Sequence, residues 1–260
     1  MYGAVAPPPG APIGWDSSVT LALVDGDLTD TMVDVSRVAD TRHVVHLNLW
    51  NNDIVAIAGL ERFPNLQRLT LASNDLQDVR GLNKQAPNLR WLDVSNNDCR
   101  DFSGADSLVN LEWVDATNND ITSLEGLSNL PSLVWLNLRT NDLADLSTMR
   151  PLYNLRVLDL SNNDLKTIRG IFQCAPSLGE LNLADNDLEV TDEVTALTQL
   201  RHLFHLNIFN NDFPNDGEGI VAAFRSFPHV RVNNSNRHFG DDGGSGPVAP
   251  SGSSEACMIM

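Results

Sequence analysis

The sequence predicts an α/β solenoid: a concave parallel β-sheet, a convex side of 3₁₀ turns and irregular chain, and a helical cap at each end. Three observations carry this. The stretch Leu155-Arg-Val-Leu-Asp-Leu-Ser-Asn-Asn163-Asp-Leu165 recurs eight times as L-x-x-L-x-L-x-x-N-D-L with small variations. Its last Asn falls at Asn52, Asn74, Asn97, Asn119, Asn141, Asn163, Asn186 and Asn211, giving spacings of 22, 23, 22, 22, 22, 23 and 25 residues. Within a copy, Leu155, Leu158, Leu160 and Leu165 take inward places while Val157, Asp159 and Ser161 alternate outward on a short strand. One copy cannot bury its apolar side alone, but stacked copies share a continuous core.

Residues 1–18 are Pro- and Ala-rich and form a flexible lead. Val19 to Leu28 keeps the strand pattern with Gly26 where the Asn belongs, a degenerate first repeat, and Asp30 to Arg42 follows as a helical cap. In the fourth copy Ile121, Leu124, Leu127, Leu130 and Leu133 recur every three residues, which suits 3₁₀ turns or short helical pieces. Two copies carry an extra residue, in Gln85-Ala-Pro87 and Cys174-Ala-Pro176. Glu193 to Leu203 suggests a full helix, and Asp216 to Phe227 an amphipathic one with Ile220, Val221, Phe224 and Phe227 on its apolar side. Val230-Arg-Val232 ends the repeat domain, which spans 19–236. From 237 to 260 a Gly-, Ser- and Pro-rich linker leads to Cys257-Met-Ile-Met260.

A net charge of -17 disfavours nucleic acid and direct adsorption to an anionic membrane, and makes a protein with a basic surface the natural complement. Cys99, Cys174 and Cys257 are too few and scattered for a disulfide framework or a zinc cluster. The N-terminus lacks a basic stretch followed by a long apolar run, and no apolar run is long enough to span a bilayer. A reducing, cytoplasmic compartment is expected.

The outward strand positions line the concave face, where solenoids bind. The third position of each copy reads His46, Arg68, Trp91, Trp113, Trp135, Val157, Glu180 and His205, so three tryptophans should stack as a ladder and form an exposed apolar patch of several hundred Å². The fifth reads Asn48, Thr70, Asp93, Asp115, Asn137, Asp159, Asn182 and Asn207. Carboxylates beside indoles suit a partner's Arg or Lys, whose charge pairs with Asp93, Asp115 or Asp159 while its stem packs on a ring. Asn137, Arg139, Trp50 and Phe209 complete the candidate binding face, the last three at the seventh position.

Each repeat Asn is followed by an aspartate: Asp53, Asp75, Asp98, Asp120, Asp142, Asp164, Asp187 and Asp212. The row invites a calcium reading, but the ordinary role is capping of backbone N–H groups at the next turn, and that is expected here. His43, His46, His202 and His205 are expected to be surface histidines. No nucleophile with a paired base can be placed, and Gly240 to Gly246 lacks the Lys-Ser/Thr of a phosphate loop. No catalytic residue, metal, cofactor or small-molecule substrate is expected. Cys257-Met-Ile-Met260 fits the C-a-a-X pattern of farnesylation, a single weak and reversible anchor.

The 22-residue repeat with Leu124, Leu127 and Leu130 between strands resembles the short intracellular leucine-rich-repeat class, which includes the leucine-rich regulatory subunit of protein phosphatase 1 and the leucine-rich light chain of axonemal dynein. The resemblance implies a non-enzymatic adaptor. Trp91, Trp113, Trp135, Asp93 and Asp115 look similar in kind to the concave residues with which the phosphatase regulator engages its catalytic subunit. With the C-terminal motif, the expected protein is a scaffold on the cytoplasmic face of a membrane; the alternative is a cytoskeletal or axonemal adaptor without a lipid anchor.

Overall fold

The computed structural model describes residues 20–22 and 41–234. Ten three-residue strands form one parallel sheet in sequence order: β1 Thr20–Ala22, β2 His46–Asn48, β3 Arg68–Thr70, β4 Trp91–Asp93, β5 Trp113–Asp115, β6 Trp135–Asn137, β7 Val157–Asp159, β8 Glu180–Asn182, β9 His205–Asn207 and β10 Arg231–Asn233. Equivalent residues pair without slip, as in Trp91↔Trp113↔Trp135 and Asp93↔Asp115↔Asn137. The strand at Thr20 and its pairing with His46 agree with a degenerate first repeat. The expected first cap at Asp30 to Arg42 falls almost wholly outside the described residues, as do the lead, the linker and Cys257.

The middle residue of each strand from β2 to β9, Leu47 to Leu206, points into the core and is at most 2% exposed. Register matters because a one-residue slip would send these side chains to the solvent face. The bend after each strand fixes it. Asn119 Nδ2 donates to Val94 O of the preceding copy (3.0 Å) and to Ala116 O (3.2 Å) and Thr117 O (3.3 Å) of its own, while its Oδ1 accepts from Cys99 N (3.0 Å). The same four-bond arrangement recurs at Asn74, Asn97, Asn141, Asn163, Asn186 and Asn211. The residue before each of these asparagines and before Asn52 turns left-handed, with φ between 51° and 58°, and is Asn, Asp, Ser or Thr. Short polar side chains tolerate that region best, which accounts for the Asn-Asn pairs of the sequence.

The aspartates that follow do not cap the next turn. In several copies the N–H two residues on, where such a cap would form, is taken by a backbone carbonyl of the preceding copy, as Arg100 N donates to Gln77 O, Thr122 N to Arg100 O and Lys166 N to Ala144 O. Their own backbone N–H groups run the ladder instead, Asp98 N to Leu76 O and Asp120 N to Cys99 O, and all eight carboxylates face solvent.

On the convex side, Ile121 to Leu133 makes single 3₁₀-type turns as expected, Leu127 N to Leu124 O and Leu133 N to Leu130 O, with its leucines buried. The two copies with an extra residue use it for one α-turn each, α1 Leu82–Gln85 and α2 Ile171–Cys174, where an i→i−4 bond needs the longer loop. The long copy holds only α3 Thr191–Thr195, continued as a 3₁₀ turn over Ala196–Gln199; the chain must become extended at Leu200 to enter β9. At the far end Gly217, at φ 74°, separates a 3₁₀ turn at Pro214–Gly217 from α4 Glu218–Phe224, so the last helix starts later than Asp216. Ile220 and Phe224 seal the core there, with Phe227 and Val232 packed beside them. Repeats stack so closely that Gly126, at φ 93°, has no room for a side chain: a Cβ would lie 2.0 Å from Phe102 O.

Asn119→Leu should therefore cost at least about 3 kcal/mol, since it strands Cys99 N–H and removes three further bonds, each unpaired buried group costing roughly 1–3 kcal/mol. Asp120→Ala, one residue on and exposed, should stay within about 0.5 kcal/mol of wild type. Urea unfolding of the two variants checks this; equal losses would contradict the assignment.

Candidate functional site

The sheet register places the first and third residues of every strand on one face. The three tryptophans form the expected stack there. Trp91 and Trp113 rings lie 4.4 Å apart at 13°, and Trp113 and Trp135 rings 4.3 Å apart at 4°. The stack is less open than its composition suggested. Trp91 is only 2% exposed, between Trp113 of β5 and Arg68 of β3, while Trp113 and Trp135 are half-buried. The apolar surface offered to a partner is thus mainly Trp113 and Trp135, smaller than the patch expected from three fully open rings. Trp91 Nε1 is buried without a hydrogen-bond partner, a condition worth roughly 1–3 kcal/mol against the fold.

The third strand positions follow a rule that composition did not reveal. From β2 to β9 each Asn or Asp there accepts, through Oδ1, the backbone N–H two residues on: Asn48 from Trp50, Asp93 from Ser95, Asp115 from Thr117, Asn137 from Arg139, Asp159 from Ser161, Asn182 from Ala184 and Asn207 from Phe209. At the three aspartates the hydroxyl of the same Ser or Thr also donates to Oδ1, at 2.7, 2.6 and 2.6 Å. Asp159 Oδ2 accepts from Asn182 Nδ2 at 3.0 Å, whereas Oδ2 of Asp93 and of Asp115 makes no hydrogen bond with any described residue.

The electrostatics follow from this geometry. Burial first, then repulsion from Asp115, pushes the Asp93 carboxyl up to about 6 from 3.8, against the lowering effect of its Ser95 bonds. Asp115 is raised by burial, partly offset by its bonds from Thr117, and Glu180 of β8 is raised by burial. No described Lys or Arg forms an ion pair with Asp93. The face thus holds desolvated carboxylates, and Asp93 among them has no ion-pair partner among the described residues.

Of the remaining candidates, Arg139 and Trp50 are exposed, Trp50 at 43%, and Asn137 and Phe209 are half-buried. Trp50 and Asp93 line one open cleft of about 230 Å³ together with Asn48, Thr70, Ala72, Ser95 and Asn96. Sequence reading placed Trp50 at the end of the face but did not connect it with Asp93, which lies two strands away and is brought near only by the stacking of copies. His46 is buried, contrary to expectation, on a strand paired on both sides, with β1 and β3; His43 and His202 are exposed. Among the described residues no group of three or more His, Cys, Asp or Glu could hold a metal ion, and no helix is long and apolar enough to cross a membrane.

Asp93 binds its proton more tightly folded than unfolded, so its contribution to stability is present below about pH 4 and lost as pH rises through about 6. Asp93→Asn should raise stability at pH 7 by about 2–3 kcal/mol, with the gain disappearing near pH 4. Urea titrations at a series of pH values test this, and a wild-type–variant difference that does not change with pH would contradict it.

Residues 145–188 match the family model described as leucine rich repeat. No curated protein matches the chain in sequence. Among solved structures, internalin C2 of Listeria monocytogenes is similar with a TM-score of 0.65 at 22% identity, over 74% of this chain and 81% of that one. A second internalin of the same organism, inlF, gives a TM-score of 0.64 at 19% identity, over 84% and 67%. The structure of a TLR13–ssRNA13 complex gives 0.66 at 22%, over 75% of this chain and 29% of that one. With ten parallel strands in sequence order and an asparagine bend after each full repeat, the fold is a leucine-rich-repeat solenoid.

Proposed function

We propose that the protein is a non-enzymatic interaction scaffold whose exposed sheet face binds a basic surface of a partner protein. The observation that supports this best is the pairing of a half-buried indole stack, Trp113 and Trp135, with Asp93 and Asp115, whose Oδ2 atoms make no hydrogen bond with any described residue. Desolvated carboxylates cost stability in the free protein, and a partner's arginine or lysine offsets that cost while its methylene stem packs on a ring. The net charge of -17 steers such a partner at low salt.

In this reading the Trp113→Ala/Trp135→Ala variant, which leaves the buried Trp91 in place, loses a bound protein that wild type retains from cell extract, and the retained protein elutes as salt is raised. Identical captured sets for the two proteins would sink it. The finer assignments rest on the sequence. In a cell where Met260 is the C-terminus, farnesylation of Cys257 tethers the scaffold to the cytoplasmic face of a membrane, and resemblance to the phosphatase regulator makes phosphatase control one version of the role. Membrane fractionation tests the tether: wild type should partition to membranes and Cys257→Ser should not, and equal partitioning would remove it from the account.

A further inference from the structure

The cleft between Trp50 and Asp93 spans β2 to β4, beside β5, which carries Trp113. Its floor is set by the small, buried Ala72 and Thr70. One wall is Trp50, whose backbone is fixed by its bond to Asn48 Oδ1 and whose side chain is 43% exposed, an unusual place for an indole. The opposite wall carries Asp93, at 9% exposure, with Oδ1 bonded by Ser95 and Oδ2 bonded by no described residue. A volume of about 230 Å³ is large enough for a guanidinium group with part of its stem and too small for a folded element.

We propose that this cleft is the seat of one arginine side chain of the partner, a subsite that adjoins the Trp113–Trp135 surface and shares Asp93 with it; the proposal rests on the scaffold reading above. A guanidinium is planar and has five donors, so it stacks on the Trp50 ring while pairing with Asp93 Oδ2, and its remaining donors can reach the Asn48 carboxamide oxygen and the Thr70 hydroxyl. It also relieves the repulsion between Asp93 and Asp115. The charged group facing Asp93 is Asp115 of β5; β3 contributes Thr70, with Arg68 at the other end of that strand, and β2 contributes Asn48, which does not titrate.

The probe is N-acetyl-arginine amide, with N-acetyl-citrulline amide as its neutral isostere, titrated into the whole protein while the Trp50 indole N–H is followed by NMR. Arginine should shift that resonance saturably in the millimolar range, and citrulline should not. Because a carboxyl titrating near 6 must be ionised to pair, the arginine affinity should be about tenfold weaker at pH 5 than at pH 7.5. Asp93→Asn, which is expected to fold more stably than wild type, should abolish the shift. Equal responses to arginine and citrulline, or an unchanged response in Asp93→Asn, would overturn the proposal. Arginine binding and partner capture by the wild-type protein separate the two levels: capture that depends on Trp113 and Trp135 while wild type fails to bind arginine retires the cleft alone, and capture that never depended on them retires the face.

Discussion

The asparagine carboxamide at the bend after each strand is the bond set on which the rest of the solenoid depends. A parallel sheet of three-residue strands offers few ladder bonds, and the chain must leave each strand at once without stranding polar backbone groups. One side chain with two donors and one acceptor oxygen does this, because it reaches both its own copy and the preceding one. A carboxylate at that position could not donate, and a leucine could neither donate nor accept. Each copy is thereby locked to its neighbour at one fixed point.

That lock explains why the exposed face is ordered into columns. The convex side absorbs insertions, as one α-turn in two copies and a longer α and 3₁₀ segment in a third, while the strand register does not change. Side chains 22 residues apart in sequence therefore meet at stacking distance. The same regularity has an electrostatic cost: it aligns Asp93 beside Asp115, and the Asx-type bonds to Ser95 and Thr117 hold both carboxyls in partly desolvated positions. A face maintained at the expense of stability is what a binding surface requires and a purely structural sheet does not.

Features that follow from period alone were legible in the sequence: the parallel strand order, the inward leucines and the tryptophan column. The aspartates after each asparagine do not cap because a neighbouring copy fills the site; Thr122 N–H, two residues after Asp120, is taken by Arg100 O of the preceding copy, and no local pattern carries that. The burial of Trp91 and His46 likewise depends on what flanks them across strands. The α-turns at Leu82–Gln85 and Ile171–Cys174 had a visible signal in the extra residue, while the break at Leu200 did not. The Trp50–Asp93 cleft joins residues of the first and third full copies, so reading each column separately could not find it.

The chain carries two acidic arrays, the eight solvent-facing aspartates at the bends and the few desolvated carboxylates on the sheet face, and the account assigns partner contact to the second. Zero-length carbodiimide cross-linking in cell extract, followed by peptide mapping, addresses that choice directly, since it joins a carboxylate only to an amine in contact with it. Cross-links from a partner lysine to Asp93, Asp115 or Glu180 are the predicted result. Cross-links confined to the bend aspartates, Asp53 through Asp212, would contradict the account and move the binding surface to the edge of the solenoid.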